Sequence, residues 1–129
     1  MVGLVIVSHS PKIAEGVRDL ANEVARASGL IVAAGGLEDG SIGTDAMRIL
    51  DAIQEANQGD GVAILCDLGS AIMSAEIALE FLGNDVAAKI VDAPLVEGAV
   101  AAAVEASCGS SLEDVIGAAE AVRGEKKIL

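Results

Sequence analysis

The single histidine of this chain, His9, stands in Leu4-Val5-Ile6-Val7-Ser8-His9-Ser10-Pro11, where an apolar run gives way to a hydroxyl-flanked turn. Imidazole has an unperturbed pKa of roughly 6.5, so near neutrality it can act as a nucleophile or a proton carrier. Asp67, in Asp67-Leu68-Gly69-Ser70, is the second candidate. A carboxylate that accepts from one ring N–H fixes the tautomer and leaves the other nitrogen's lone pair free. It also stabilises the positive charge that develops when that nitrogen attacks an electrophile. Ser8, Ser10, Thr44 and Ser70, with backbone N–H groups at two helix starts, could hold three anionic oxygens. Gly36 and Gly69 complete this candidate phosphate- or partner-binding set, which reads as a cradle for a phosphoryl group on His9.

Each of these residues also has a plainer role open to it. His9 suits a solvated loop, Asp67 suits an Asx turn or helix cap, and Gly35-Gly36 suits a turn with positive φ. Thr44 is a good N-cap for the helix that follows it, which does not exclude phosphate binding.

Four short apolar runs must position these groups: Val2–Val7, Leu30–Ala34, Gly61–Cys66 and Val86–Val91. Their continuous rather than alternating hydrophobicity is that of parallel strands buried on both faces. A helical segment follows each. The first spans about Pro11 to Ala27, with Ser10 as N-cap, Pro11 at the first helical position, and Gly29 stopping it. Ile13, Val17, Leu20 and Val24 mark its expected buried face. Helices near Thr44–Asn57 and Ser70–Leu82 come next, with Met47, Leu50 and Ile53 on one inner stripe and Ile72, Ala75, Leu79 and Leu82 on the other. Two more, near Leu95–Ala106 and Leu112–Val122, are separated by Gly109-Ser110-Ser111, and Ser111 starts the last.

Alternating strands and helices predict a single α/β domain over residues 1–129, a four-stranded parallel sheet with helices on both faces. The charged tail Arg123–Leu129 suits either a frayed end or an extra edge strand. Functional residues of doubly wound sheets gather beyond the strands' carboxyl ends, at the switch point of strand order. With order 2-1-3-4, strands one and three flank that point, and His9 faces Asp67 across it.

Composition narrows the chemistry. Among 129 residues, 53% are hydrophobic, yet Trp and Tyr are absent and Phe81 is the only aromatic. Sites that need stacking platforms, for flavin, adenine or single-stranded nucleic acid, fit poorly. A net charge of −12, with eight scattered basic residues, opposes phosphate-backbone binding and suits a basic protein partner. No GxGxxG, GxxxxGK[ST] or GxSxG is present, which removes the usual nucleotide loops and the hydrolase elbow. Cys66 and Cys108 share no CxxC and have no second histidine for a metal site, so reduced thiols in a cytoplasmic protein are expected, Cys66 as a small core residue. No apolar stretch approaches the ~20 residues of a membrane span.

Five segments together resemble a known family. They are Val5-Ile6-Val7-Ser8-His9-Ser10, Ala34-Gly35-Gly36, Ile42-Gly43-Thr44-Asp45-Ala46, Asp67-Leu68-Gly69-Ser70-Ala71 and Ala93-Pro94-Leu95-Val96-Glu97-Gly98-Ala99. In order and over residues 1–122, they are similar to the phosphotransferase subunits of dihydroxyacetone kinase, the DhaM family, whose first domain resembles mannose-type IIA domains of the bacterial sugar phosphotransferase system. The resemblance implies a phosphohistidine relay without a cofactor. His9 would take a phosphoryl group from the phosphocarrier HPr, with Asp67 orienting it, and hand it to ADP on the nucleotide subunit DhaL. ATP formed there would phosphorylate dihydroxyacetone on DhaK. A homodimer is also implied. Some members continue into HPr-like and enzyme-I-like domains, whereas this chain stops at Leu129 and would need a separate HPr.

Two other readings stay open at this stage. One is a mannose-type IIA domain passing phosphate to a IIB domain. The other is a non-catalytic small-molecule or regulatory module on a flavodoxin-like fold, which the scarcity of aromatics and the Asp67-Leu68-Gly69-Ser70 setting oppose. Met47, Ile72 and Met73, near the helix starts, suit either adaptable partner contacts or ordinary core packing.

Overall fold

In a computed structural model, residues 1–26 and 30–129 are described. The elements run β1 (Gly3–Ser8), α1 (Pro11–Ala25), β2 (Ile31–Gly35), α2 (Ala46–Ala56), β3 (Val62–Cys66), α3 (Gly69–Leu82), β4 (Ala88–Ile90), α4 (Leu95–Ser107) and α5 (Leu112–Ala121), then a 3₁₀ turn at Val122–Gly124. All strands are parallel, in the order β2-β1-β3-β4. β1 is central and buried along its whole length, which is why its apolar run shows no alternation. Its last residues pair Ser8 with Gly35 and Val7 with Cys66, so the register delivers Ser8-His9 and Asp67 to the same edge.

Two apolar layers sandwich the sheet. Leu4, Ile6, Ala63 and Leu65 pack against alanines of α1, α4 and α5, while Val5, Val7, Val62 and Ile64 pack against α2 and α3. Burying a Leu or Ile side chain fully contributes about 1.5–3 kcal/mol, and Leu4, Ile6, Ile64 and Leu65 all reach that state.

The inward face of α1 differs from expectation. Ala14, Val17 and Ala21 are buried, whereas Ile13, Leu20 and Val24 are about half exposed. The cause lies in α4, which presents Ala99, Ala102, Ala103 and Ala106 to the same layer. Small residues on both helices allow close approach, and the larger aliphatics are displaced to the flank. The same substitution of alanine for bulk occurs in α3, where Ala71, Ala75 and Ala78 face inward and Ile72 is exposed. In α2, Leu50 and Ile53 are buried but Met47 is exposed.

Ser10 caps α1 by accepting from the Ile13 N–H, with Pro11 at the first position. The helix ends one residue after Ala25 at Arg26, whose φ of 50° is left-handed. The expected stop at Gly29 lies outside the described residues. α2 starts two residues later than expected. Its N-cap is Asp45, which accepts from the Met47 N–H at 2.9 Å, because the Thr44 hydroxyl bonds Ser74 instead, at 2.7 Å. Ser111 caps α5 as expected, accepting from Asp114.

The tail forms no edge strand. Within the 3₁₀ turn Arg123 pairs with Asp92; past it the chain is irregular and meets the start of α4, with Lys127 paired to Glu97 at 2.6 Å. Its contacts there are exposed ion pairs rather than ladder bonds.

Candidate functional site

At the carboxyl edge of the sheet, β1 ends in Ser8-His9 and β3 ends in Cys66-Asp67. The Asp67 N–H continues the ladder to Val7 C=O at 3.1 Å, which sets the carboxylate beside the β1 turn. Asp67 then receives four donors. Its Oδ1 accepts from His9 Nδ1 at 2.9 Å and from the Leu68 N–H at 2.7 Å. Its Oδ2 accepts from the Ser8 hydroxyl at 2.9 Å and from the His9 N–H at 3.0 Å. Burial opposes ionisation of this carboxyl, but the His9 backbone and ring donors, Ser8 and Leu68 outweigh it and hold the pKa below the ordinary 3.8.

An ionised carboxylate can only accept, so Nδ1 carries the ring proton and Nε2 keeps its lone pair. Nε2 lies 2.5 Å from the Ser70 oxygen, and the Ser70 O–H therefore donates to it. Ser70 belongs to the first turn of α3, whose N-cap residue, Leu68, offers no side-chain acceptor. Gly69 and Ser70 thus present uncapped, partly positive backbone N–H groups beside Nε2. The His9 side chain remains 20% exposed and that of Asp67 14%. Nε2 is the accessible nucleophilic atom.

Several expected cradle residues have other employment. Ser8 has no exposed surface and lies behind the ring, against Asp67, rather than on the outer face. Gly36 is buried and donates its N–H to Ser8 C=O; its φ is +70°, and a Cβ there would meet the Pro11 ring at 2.5 Å. Its conformation and its packing on Pro11 are those of a turn and close-approach glycine. The α2 start is occupied by the Asp45 carboxylate, so one free helix start, that of α3, adjoins His9. The Ser10 hydroxyl caps α1. Thr44 bonds Ser74 and so ties the loop before α2 to α3, while the Gly43 N–H bonds His9 C=O at 2.9 Å.

Met47, Ile72 and Met73 are all exposed, which removes core packing as their role. Two further exposed aliphatics escaped the sequence reading: Ile42, in the loop that bonds His9, and Leu68, between Asp67 and α3. Leu68 is 63% exposed at the mouth of the site, and its signal was an aliphatic residue wedged in a tight Asp-Leu-Gly turn with nothing to bury it. Among the described residues, no cluster of three or more His, Cys, Asp or Glu side chains is placed to hold a metal ion. No helix among them is long and apolar enough to cross a membrane.

Residues 3–116 match the family model for the phosphotransferase system fructose IIA component. The chain belongs to this family. Its curated relatives include proteins named as phosphoryl donor subunits of dihydroxyacetone kinases. The chain is 43% identical over 118 residues to "PEP-dependent dihydroxyacetone kinase 2, phosphoryl donor subunit DhaM" of Listeria innocua, covering 90% of this chain and 94% of that one. It is 45% identical over 121 residues to the corresponding DhaM subunit of Escherichia coli K12, of which it spans only 26%. The family fold also recurs in solved structures. The crystal structure of the unknown function protein EF1359 superposes with a TM-score of 0.84 at 36% identity, covering 99% of this chain and 98% of that one. A phosphotransferase system component EIIA from Streptococcus agalactiae has the same fold, with a TM-score of 0.71 at 16% identity over 98% and 97% of the two chains.

Proposed function

We propose that this protein is the phosphoryl carrier of a dihydroxyacetone kinase system. His9 accepts a phosphoryl group from phosphorylated HPr and passes it to ADP bound on DhaL, and the ATP formed there phosphorylates dihydroxyacetone on DhaK. One observation carries this reading: Nδ1 is bonded to Asp67 while Nε2 faces the uncapped start of α3. The DhaM names of relatives such as the Listeria protein supply the substrate system.

In the charging step, the Nε2 lone pair attacks the donor's phosphorus, the Nε2–P bond forms and the donor's N–P bond breaks. The Nδ1 proton stays in place. Phosphorylation makes the ring cationic, and the Asp67 carboxylate, 2.9 Å from Nδ1, stabilises that charge. The Ser70 hydroxyl turns from Nε2 to a phosphoryl oxygen, and the Gly69 and Ser70 N–H groups hold the others. In the discharging step a terminal oxygen of ADP attacks the same phosphorus, and Nε2 regains its lone pair.

Ile42, Met47, Leu68 and Met73 are exposed on the loops and helix starts beside His9, and we assign them to an apolar rim that both protein partners meet in turn, with methionine adapting to each surface. We assign the protein to the cytoplasm and to a homodimer, which a mass measurement in solution tests.

The decisive assay mixes the protein with phosphoenolpyruvate, enzyme I and HPr, with His9→Ala as control. Wild type gains acid-labile phosphate and the variant does not. Label from the charged protein then reaches ADP on a DhaL-type subunit. Transfer to a IIB domain instead would assign it to a sugar permease. A wild type that gains no label would end the proposal.

A further inference from the structure

Ser8 touches neither the outer face of the site nor the reacting nitrogen, yet it has no exposed surface and a fully determined hydrogen-bond role. Its oxygen accepts from the Ser10 N–H at 3.1 Å, and its proton goes to Asp67 Oδ2 at 2.9 Å. The direction is forced, because an ionised carboxylate cannot donate. We propose that Ser8 is a positioning residue: it locks the Asp67 carboxylate so that Oδ1, and not open water, receives the His9 Nδ1 proton.

This inference rests on the reading of His9 as phosphoryl acceptor and adds the group that prepares it. A carboxylate turns about one bond, so fixing Oδ2 fixes Oδ1. Oδ2 has two donors, the Ser8 hydroxyl and the His9 N–H. The His9 N–H and the Leu68 N–H, which meets Oδ1 at 2.7 Å, are both main-chain donors; Ser8 supplies the one side-chain donor other than the ring. It sits at the end of β1, paired with Gly35 of β2, and its oxygen is tied through Ser10 to the start of α1. The carboxylate is thus referenced to three elements of the scaffold. Removing the hydroxyl leaves the carboxylate with the His9 N–H on Oδ2 and the Leu68 N–H on Oδ1 and loosens its orientation, which would let Nε2 hold the ring proton part of the time. A ring protonated at Nε2 has no lone pair there and cannot accept phosphorus.

Two measurements test this. His9 is the only histidine, so its two ring nitrogens give unambiguous ¹⁵N signals. At a pH where the ring is neutral, wild type should show the Nδ1–H form almost alone, and Ser8→Ala a mixture of both tautomers. That spectrum needs no phosphotransfer. The second measurement is a double-mutant cycle on charging by phospho-HPr. Ser8→Ala should slow charging about tenfold in the wild-type background and by less than twofold when Asp67 is already alanine. An unchanged tautomer in Ser8→Ala overturns the inference, as does an equal slowing in both backgrounds. If wild type itself fails to become phosphorylated, the carrier reading falls, while the ¹⁵N spectra still decide whether Ser8 holds the ring.

Discussion

His9 Nδ1 and Asp67 Oδ1 meet at 2.9 Å although 58 residues separate them in the chain. The contact is a consequence of strand order. β1 and β3 are neighbours at the sheet centre, their registers end level, and their first loop residues therefore converge. The pair decides the ring's tautomer, and the tautomer decides which nitrogen is a nucleophile.

Replacing Asp67 by alanine should leave the fold intact, because the side chain lies outside both apolar layers. Charging of His9 by phospho-HPr should slow roughly 10–100-fold, by analogy with the loss of a carboxylate that orients a metal-binding histidine. Circular dichroism checks the fold and rapid-quench labelling the rate; an unchanged rate removes Asp67 from the mechanism.

Asp67 also sets a pH dependence. Its carboxyl is held below 3.8 in the folded protein, through hydrogen bonds that outweigh burial. Its contribution to stability is therefore fully present above the unfolded value of about 3.9 and is lost as pH falls through the folded value. Denaturant unfolding of wild type and Asp67→Asn should give a stability difference that is fully present at pH 5. The difference should shrink below pH 4.

The two thiols should separate chemically. Burial first, and the Asp67 charge second, push the Cys66 thiol up to about 12. Cys108 is exposed. Alkylation at pH 8 should modify Cys108 within minutes and leave Cys66 untouched until denaturant is added, as peptide mass mapping would record. The thiolate is the reactive form, so rapid labelling of Cys66 in the native protein would contradict its environment.

The apolar rim should serve docking and not stability. Leu68→Ser with Met73→Ser removes two side chains that are 63% and 67% exposed, so unfolding stability should change by less than about 1 kcal/mol. The KM for phospho-HPr should rise roughly tenfold. Direct chemical phosphorylation of His9 by phosphoramidate, which needs no protein contact, should proceed at the wild-type rate.

Much of this arrangement is legible from residue order. Continuous apolar runs identify buried parallel strands, and Ser10-Pro11 and Ser111 mark helix starts through local hydrogen bonding alone. His9 and Asp67 are the polar residues that follow strands one and three, so topology alone brings them together. What is not legible follows from long-range packing. The inner face of α1 is set by the alanines of α4, which a periodicity of large side chains cannot register. Thr44 and Asp45 are both able to cap, and the choice depends on Ser74, distant in sequence. Ser8 reads as a cradle hydroxyl beside His9, yet its place at the end of β1, which runs between β2 and β3, buries it. The tail meets Glu97 and Asp92 in exposed ion pairs that no local pattern announces.

The most direct test of the carrier account is the identity of the phosphorylated nitrogen. Protein labelled with ¹⁵N and charged by phospho-HPr should show one histidine ring with phosphorus coupled to Nε2 and a proton retained on Nδ1. Phosphorus on Nδ1, the atom held by Asp67, or on any residue other than His9, would contradict it.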